Sequence, residues 1–157
     1  MRGKLAGQSP GTLRCRVIVV NMATEMKIQL RQISASATEA TIGRHQVTID
    51  RPVAKGGGDT GPMGGELFLA AVGGCFMSTL LAAIKAREAE ISHVRLEVAG
   101  SLADSPVRFA ALELRVAAES RDPELLERLV GIADRSCIMM NTLRGTLDVR
   151  VLIAAAV

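Results

Sequence analysis

The chain contains no tryptophan and no tyrosine, and only three phenylalanines. A core without aromatic bulk has to be filled by Leu, Val, Ile, Met and Ala. The same shortage removes the platforms on which single-stranded bases stack, and no run of Lys or Arg is interleaved with aromatic side chains. Nucleic-acid binding is therefore not expected, although a net charge of +3 and a pI near 9.1 are mildly basic. Cysteine is scarce as well. Three residues, an odd number, do not make a secreted disulfide framework. No hydrophobic signal segment opens the sequence, so the expected compartment is the reducing cytoplasm, where a disulfide is transient and catalytic or redox-sensing. The 157 residues suffice for one domain with its own core.

Charge is missing from one long stretch. Residues 67–84, within a segment spanning 66–87, contain no charged side chain. Such a run is either a membrane span or a helix buried on all sides. It is rich in Ala and Gly, with Cys, Ser and Thr inside, so its transfer free energy into lipid is modest and a buried helix is the expectation, not a span. A chain this short has little material to wrap a helix completely, and a second copy is expected to supply the rest, as a homodimer. Cys75 lies in the middle, with Ala71, Val72, Ser78 and Thr79 about one turn away. These small or β-branched neighbours leave room for a substrate or another chain. The bland alternative is a buried free cysteine acting as a small hydrophobe.

Around this helix the pattern reads as short strands and a second helical region. Residues 1–25 read as a flexible extension, with a short strand at 17–20, and Met22 is an alternative start; Cys15 falls here and matches no motif. Segments 27–33, 39–42 and 45–50 alternate apolar and polar residues, with Gly43-Arg44 as a tight turn, predicting a three-stranded meander. Residues 51–65 form a loop rich in Gly and Pro. Its Gly56-Gly57-Gly58 is no phosphate fingerprint, because no Gly-Lys-Ser/Thr follows. Segments 93–99 and 110–116 alternate around Asp104-Ser105-Pro106 and predict a hairpin. Asp122-Pro123-Glu124 starts a helix, with Asp as N-cap and Pro at the first position. Residues 136–143 predict a short second helical piece capped by Ser136, and 147–153 a last strand. The order β-β-β-α-β-β-α-β, with hairpins in place of regular crossovers, predicts an α+β fold for residues 26–157.

Several of these residues together resemble the OsmC/Ohr family: Gly61-Pro62, Glu66-Leu67, Ala70-Ala71, Gly73-Gly74-Cys75, Arg108-Phe109 opening a strand, Ser136-Cys137 and Asn141-Thr142-Leu143. The resemblance runs from about Met26 to Ile153 and rests chiefly on two well-separated cysteine boxes. It implies an OsmC-like α+β fold in which two chains intertwine around paired central helices, with active sites at the dimer interface. It implies a thiol-dependent peroxidase that reduces organic hydroperoxides. Cys75 would be peroxidatic and Cys137 resolving, with no bound cofactor and an external dithiol as reductant.

A thiolate is the nucleophile in such chemistry, and an ordinary cysteine is mostly protonated at neutral pH. Cys75 lies two to three turns into its helix, beyond the reach of the helix dipole, so a cation is expected beside it. Arg51 on the preceding loop is the candidate, with Arg44 second; for Arg51 a solvated loop charge is the other reading. Cys137 follows Ser136 at a helix start, where the dipole is expected to lower its pKa. One position departs from the family pattern. The family's peroxidases carry a glutamate where this chain has Gly65, and Glu66 matches only the next position. Loss of that carboxylate removes the arginine's usual partner. It supports an alternative, a non-catalytic OsmC-like protein that binds an apolar small molecule or senses redox state.

Overall fold

The uncharged run folds as the central helix α1 (Gly64–Ala86). Glu66 sits at its third position, and its Oε2 accepts the Met63 backbone N–H at 2.7 Å, closing the first turn with an acidic group where the dipole favours one. The computed structural model describes residues 25–154. Cys15, the strand expected at 17–20 and almost all of the expected extension lie outside them.

Three strands precede α1. β1 (Gln29–Gln32), β2 (Thr38–Ile42) and β3 (His45–Ile49) form the antiparallel meander that the alternation predicts. Gly43 takes a left-handed φ of 60° in the turn between β2 and β3, which glycine adopts without steric cost. Leu30, Ala40 and Val47 face one another across the register, so one face of this sheet is apolar. Leu30 and Ile42 on that face remain about half exposed.

Three strands follow α1. β4 (Ile91–Asp104) and β5 (Val107–Ser120) make a long antiparallel hairpin, longer at both ends than the predicted segments, and β6 (Asp148–Ile153) joins β5 in parallel. Leu112, Leu114 and Val116 point inward from β5 and are fully buried, while Glu113 and Arg115 point outward as an ion pair. Between β5 and β6 lie α2 (Pro123–Ser136) and α3 (Ile138–Leu143). The predicted start of α2 is as read: Asp122 Oδ1 accepts the Leu125 N–H at 2.9 Å and Pro123 holds the first position.

Two expectations are corrected here. Ser136 does not cap α3; it is the last residue of α2, and the extended Cys137 between the helices is the N-cap position of α3. Asn141 Nδ2 donates to the Arg135 carbonyl at 3.1 Å, satisfying an end group of α2, so the break falls one residue later. The second half also contains a crossover. The chain runs back along α2 and α3 before β6 can lie parallel to β5. The α+β class stands, with two three-stranded sheets and three α-helices among the described residues.

The core forms where one face of α1 meets β5, α2 and α3. Val72, Phe76 and Leu80 of α1 are fully buried against Leu112, Leu114, Leu129 and Met140. Gly73 permits the close approach of α1 to β4, since a Cβ there would lie 2.9 Å from Val98 Cγ2. Phe68 and Phe109 stack at 5.0 Å between ring centroids, so all three phenylalanines serve this core. The expectation of a helix covered on all sides is not met by the chain itself. Ala70, Ala71, Gly74, Ser78, Leu81 and Ala82 form an exposed, uncharged strip opposite the buried face. One sheet and two helices can cover only one side of a rod. By length and composition α1 could cross a bilayer, but its buried face is engaged in the core of its own chain.

Candidate active site

Cys75 and Cys137 meet where α1, α2 and α3 converge. Cys75 lies at the border between the buried and exposed faces of α1 and is half-buried. The Thr79 hydroxyl donates to its carbonyl at 2.9 Å, one turn on. Cys137 is completely buried, and its N–H is bound to the Ala133 carbonyl at 2.9 Å. The two free thiols are in contact: the Cys137 S–H donates to Cys75 Sγ at 3.2 Å. Two residues 62 apart in sequence are thus brought together by the return of α3 onto α1.

This contact splits their acidities. Burial pushes the Cys75 thiol up, but the Met139 N–H, the Cys137 thiol and the Ile138 N–H together outweigh it, and its pKa falls below the ordinary thiol value. For Cys137, burial again acts first and upward. The Met140 and Met139 amides oppose it, while its own hydrogen bond and the charge of Cys75 add to it, and the result is a raised pKa. The expectation that a helix terminus lowers the pKa of Cys137 is therefore corrected. The amides at the start of α3 lower the pKa of Cys75 as well, and burial dominates at Cys137. Backbone donors and the neighbouring thiol, and no cation of the described residues, are the groups that lower the Cys75 pKa.

The expected charged residues lie elsewhere. Arg51 is exposed, and its guanidinium makes no hydrogen bond or ion pair among the described residues. Arg44 is exposed in the turn between β2 and β3. Glu66 binds the Met63 amide and forms no ion pair with Arg51 among the described residues. At Gly65 a Cβ would lie 3.7 Å from Phe109, an ordinary contact, so space does not exclude the family's glutamate there.

Asp50 is a residue that the sequence analysis missed. It is only 3 % exposed, and it organises the loop carrying Arg51. Its carboxylate accepts the Arg51 N–H at 2.7 Å, the Gly58 N–H at 3.1 Å, the Thr60 N–H at 3.2 Å and the Thr60 hydroxyl at 2.8 Å. The Thr60 hydroxyl foremost, then Ser36 and these amides, hold it far below the usual carboxylate range against the cost of burial. An Asp that opens a Gly- and Pro-rich loop was the available signal.

On the other border of the exposed strip of α1, an apolar groove of about 370 Å³ opens between α1 and β4, lined by Leu69, Gly73, Gly74, Met77, Leu96 and Val98 among others. Among the described residues, no three or more His, Cys, Asp or Glu side chains are grouped to hold a metal ion.

Comparisons with known proteins bear on the family and the fold. The family model described as OsmC-like protein matches residues 56–151, which include both cysteines. No curated protein matches the sequence. Among solved structures, an OsmC like protein from Mycoplasma pneumoniae is similar at a TM-score of 0.75 with 20% identity, over 87% of this chain and 100% of that one. An organic hydroperoxide resistance protein OsmC from Legionella pneumophila is similar at 0.67 and 21%, over 83% and 97%. The organic hydroperoxide resistance protein OhrB of Bacillus subtilis is similar at 0.62 and 25%, over 83% and 98%. With its matched segment, its fold and its paired cysteines in agreement, this chain belongs to the OsmC-like protein family.

Proposed function

We propose that this protein is a cysteine-based peroxidase that reduces organic hydroperoxides, with Cys75 peroxidatic and Cys137 resolving. The observation that carries this reading is the 3.2 Å contact between two free thiols of opposite acidity shift. The Cys75 thiolate attacks the outer oxygen of the hydroperoxide, the O–O bond breaks, and the alkoxide takes a proton and leaves as an alcohol. Cys75 is left as a sulfenic acid. The Cys137 thiol gives up its proton and attacks the Cys75 sulfur, the S–S bond forms, and water leaves. An external dithiol reduces this disulfide by exchange and is itself oxidised. The half-buried Cys75 at the edge of an exposed, uncharged strip suits an alkyl or aryl hydroperoxide, and the reducing cytoplasm supplies the dithiol. In this reading a second copy covers the exposed strip of α1 and completes the walls of the site.

A second reading has its own support. Gly65 removes a carboxylate, and Arg51 is not joined to Cys75 among the described residues. In that reading a cavity at the interface between two copies binds an apolar small molecule and the two thiols are its redox-sensitive lining. Mass spectrometry after one equivalent of cumene hydroperoxide separates the two. Loss of two hydrogens per chain, localised to Cys75 and Cys137, is expected for the peroxidase. An unchanged mass with both thiols still alkylatable supports the binding protein.

A further inference from the structure

Cys137 is the single extended residue between two helices, with φ −75° and ψ 124° where α2 ends and α3 begins. Such a joint can act as a hinge, because a change in its two dihedrals swings α3 and displaces the side chain at the joint. Its own backbone bonds tie it to each helix separately and do not close it. The Cys137 N–H is bound to Ala133 in α2, and its carbonyl accepts the Asn141 N–H at 3.0 Å in α3. The sulfurs hold it poorly, since a thiol is a weak donor and a weak acceptor. Two side chains reach back across the joint instead. Asn141 Nδ2 donates to the Arg135 carbonyl at 3.1 Å, and the Arg144 guanidinium pairs with the Asp134 carboxylate. Asp134 and Arg135 belong to the last turn of α2, whereas Asn141 lies in α3 and Arg144 is its C-cap. Three residues apart, Asn141 and Arg144 share one face of the returning chain. We propose that Asn141 and Arg144 are positioning residues for the thiol pair: they clamp α3 onto the last turn of α2 and so hold Cys137 Sγ against Cys75 Sγ.

The sulfur separation shows what such a clamp does. The sulfurs stand 3.2 Å apart, and a disulfide needs about 2.0 Å, so closure takes only a small movement while the joint is shut. Reacting atoms held this close have a high effective concentration, and a swing at the joint forfeits it. Both clamping residues act through the placement of Cys137. The use of the clamp rests on the peroxidase reading: a Cys75 sulfenic acid is either resolved by Cys137 or oxidised further to the sulfinic acid, and a shut joint favours resolution.

The clamp itself is tested without any peroxide, so its failure and that of the peroxidase reading are distinguishable. In a Cys15→Ser background the protein is equilibrated with reduced and oxidised glutathione. One oxidised glutathione takes the two hydrogens of the dithiol, giving the protein disulfide and two reduced glutathiones. Samples are quenched in acid, alkylated in denaturant and counted for free thiols by mass. The equilibrium constant, in molar units, is the effective concentration of the pair. Asn141→Ala combined with Arg144→Ala should lower it roughly three- to tenfold. Each single variant should lower it by a smaller factor, and Arg144→Lys, which keeps a cation for Asp134, less than Arg144→Ala. Thr142→Ala supplies the structural control. It removes a 2.8 Å hydrogen bond to the Ile138 carbonyl inside α3 without touching α2, and should leave the constant within about twofold. A constant unchanged in the clamp variants overturns the proposal. So does an equal fall in Thr142→Ala, which would make the stability of α3, not the clamp, the cause.

Discussion

At Cys75 and Cys137, contact makes each thiol's proton the other's concern. A thiolate on one is favoured while the other remains a donor, and burial makes Cys137 the thiol that gives up its proton less readily. Substitution should divide the roles. Cys75→Ser should abolish the first oxidation, since a hydroxyl cannot replace a thiolate. Cys137→Ser should leave the first step intact and let a dimedone-type probe trap a sulfenic acid on Cys75. The pH dependence has a definite sign. The Cys75 pKa is depressed, so its reactivity is present above that lowered value and is lost as pH falls through it. Iodoacetamide labelling of Cys75 should therefore persist below the ordinary thiol range. Cys137→Ala removes the donated S–H and should move the labelling profile to higher pH. Arg51→Ala should leave that profile in place, because its guanidinium contributes no contact to the thiolate among the described residues. Asp50 belongs to the same scale. Its depressed pKa means that its stabilisation is complete at neutral pH and is withdrawn only as pH falls below the usual aspartate range. Asp50→Ala strands four donors and should make the loop at 51–62 an early site of proteolysis at neutral pH.

At the level of elements, α1 is a helix of small residues placed by what it lacks. Gly73→Val would drive a side chain into Val98, and should cost about 1–3 kcal/mol in urea unfolding with an unchanged m-value. Gly65 is the opposite case. It stands at the second helical position, where a Cβ would make only an ordinary 3.7 Å contact with Phe109. Gly65→Glu should stabilise the fold by about 0.5–1 kcal/mol, by removing glycine from a helix and adding a carboxylate to the first turn. The same variant supplies the carboxylate that the family's peroxidases carry, so its turnover beside wild type measures what that group contributes.

For the whole molecule the uncovered surface decides. α1 turns Ala71, Gly74, Ser78 and Ala82 outward without one charge, and Leu30 and Ile42 leave the first sheet half covered. Contiguous apolar surface of this kind marks an interaction site, and small side chains let two helices approach closely. Sedimentation at micromolar concentration should give a dimer. Ala82→Glu, well away from Cys75 along the strip, should shift the protein toward monomer and lower its thermal midpoint; a stable wild-type monomer would remove this account of the exposed strip.

Much of the architecture was legible because period and punctuation are local. Alternation marked the meander and the hairpin, Asp122-Pro123 marked the start of α2, and the absence of charge marked α1. The two cysteine boxes named the residues to watch. Three matters escaped the linear pattern because each depends on groups distant in sequence. The crossover to β6 follows from how two helices lie on a sheet. The role of Asp50 follows from a loop folding back on it from Gly58 and Thr60. The effect of the helix terminus was assigned to Cys137, because a terminus judged along the chain acts on that residue alone. In three dimensions its amides lower the pKa of Cys75 as well, and burial raises that of Cys137. Residue types and their periodicity determined which elements form and which atoms can react; only packing decided which of two identical thiols is the more acidic, because desolvation and hydrogen bonding are properties of neighbours in space.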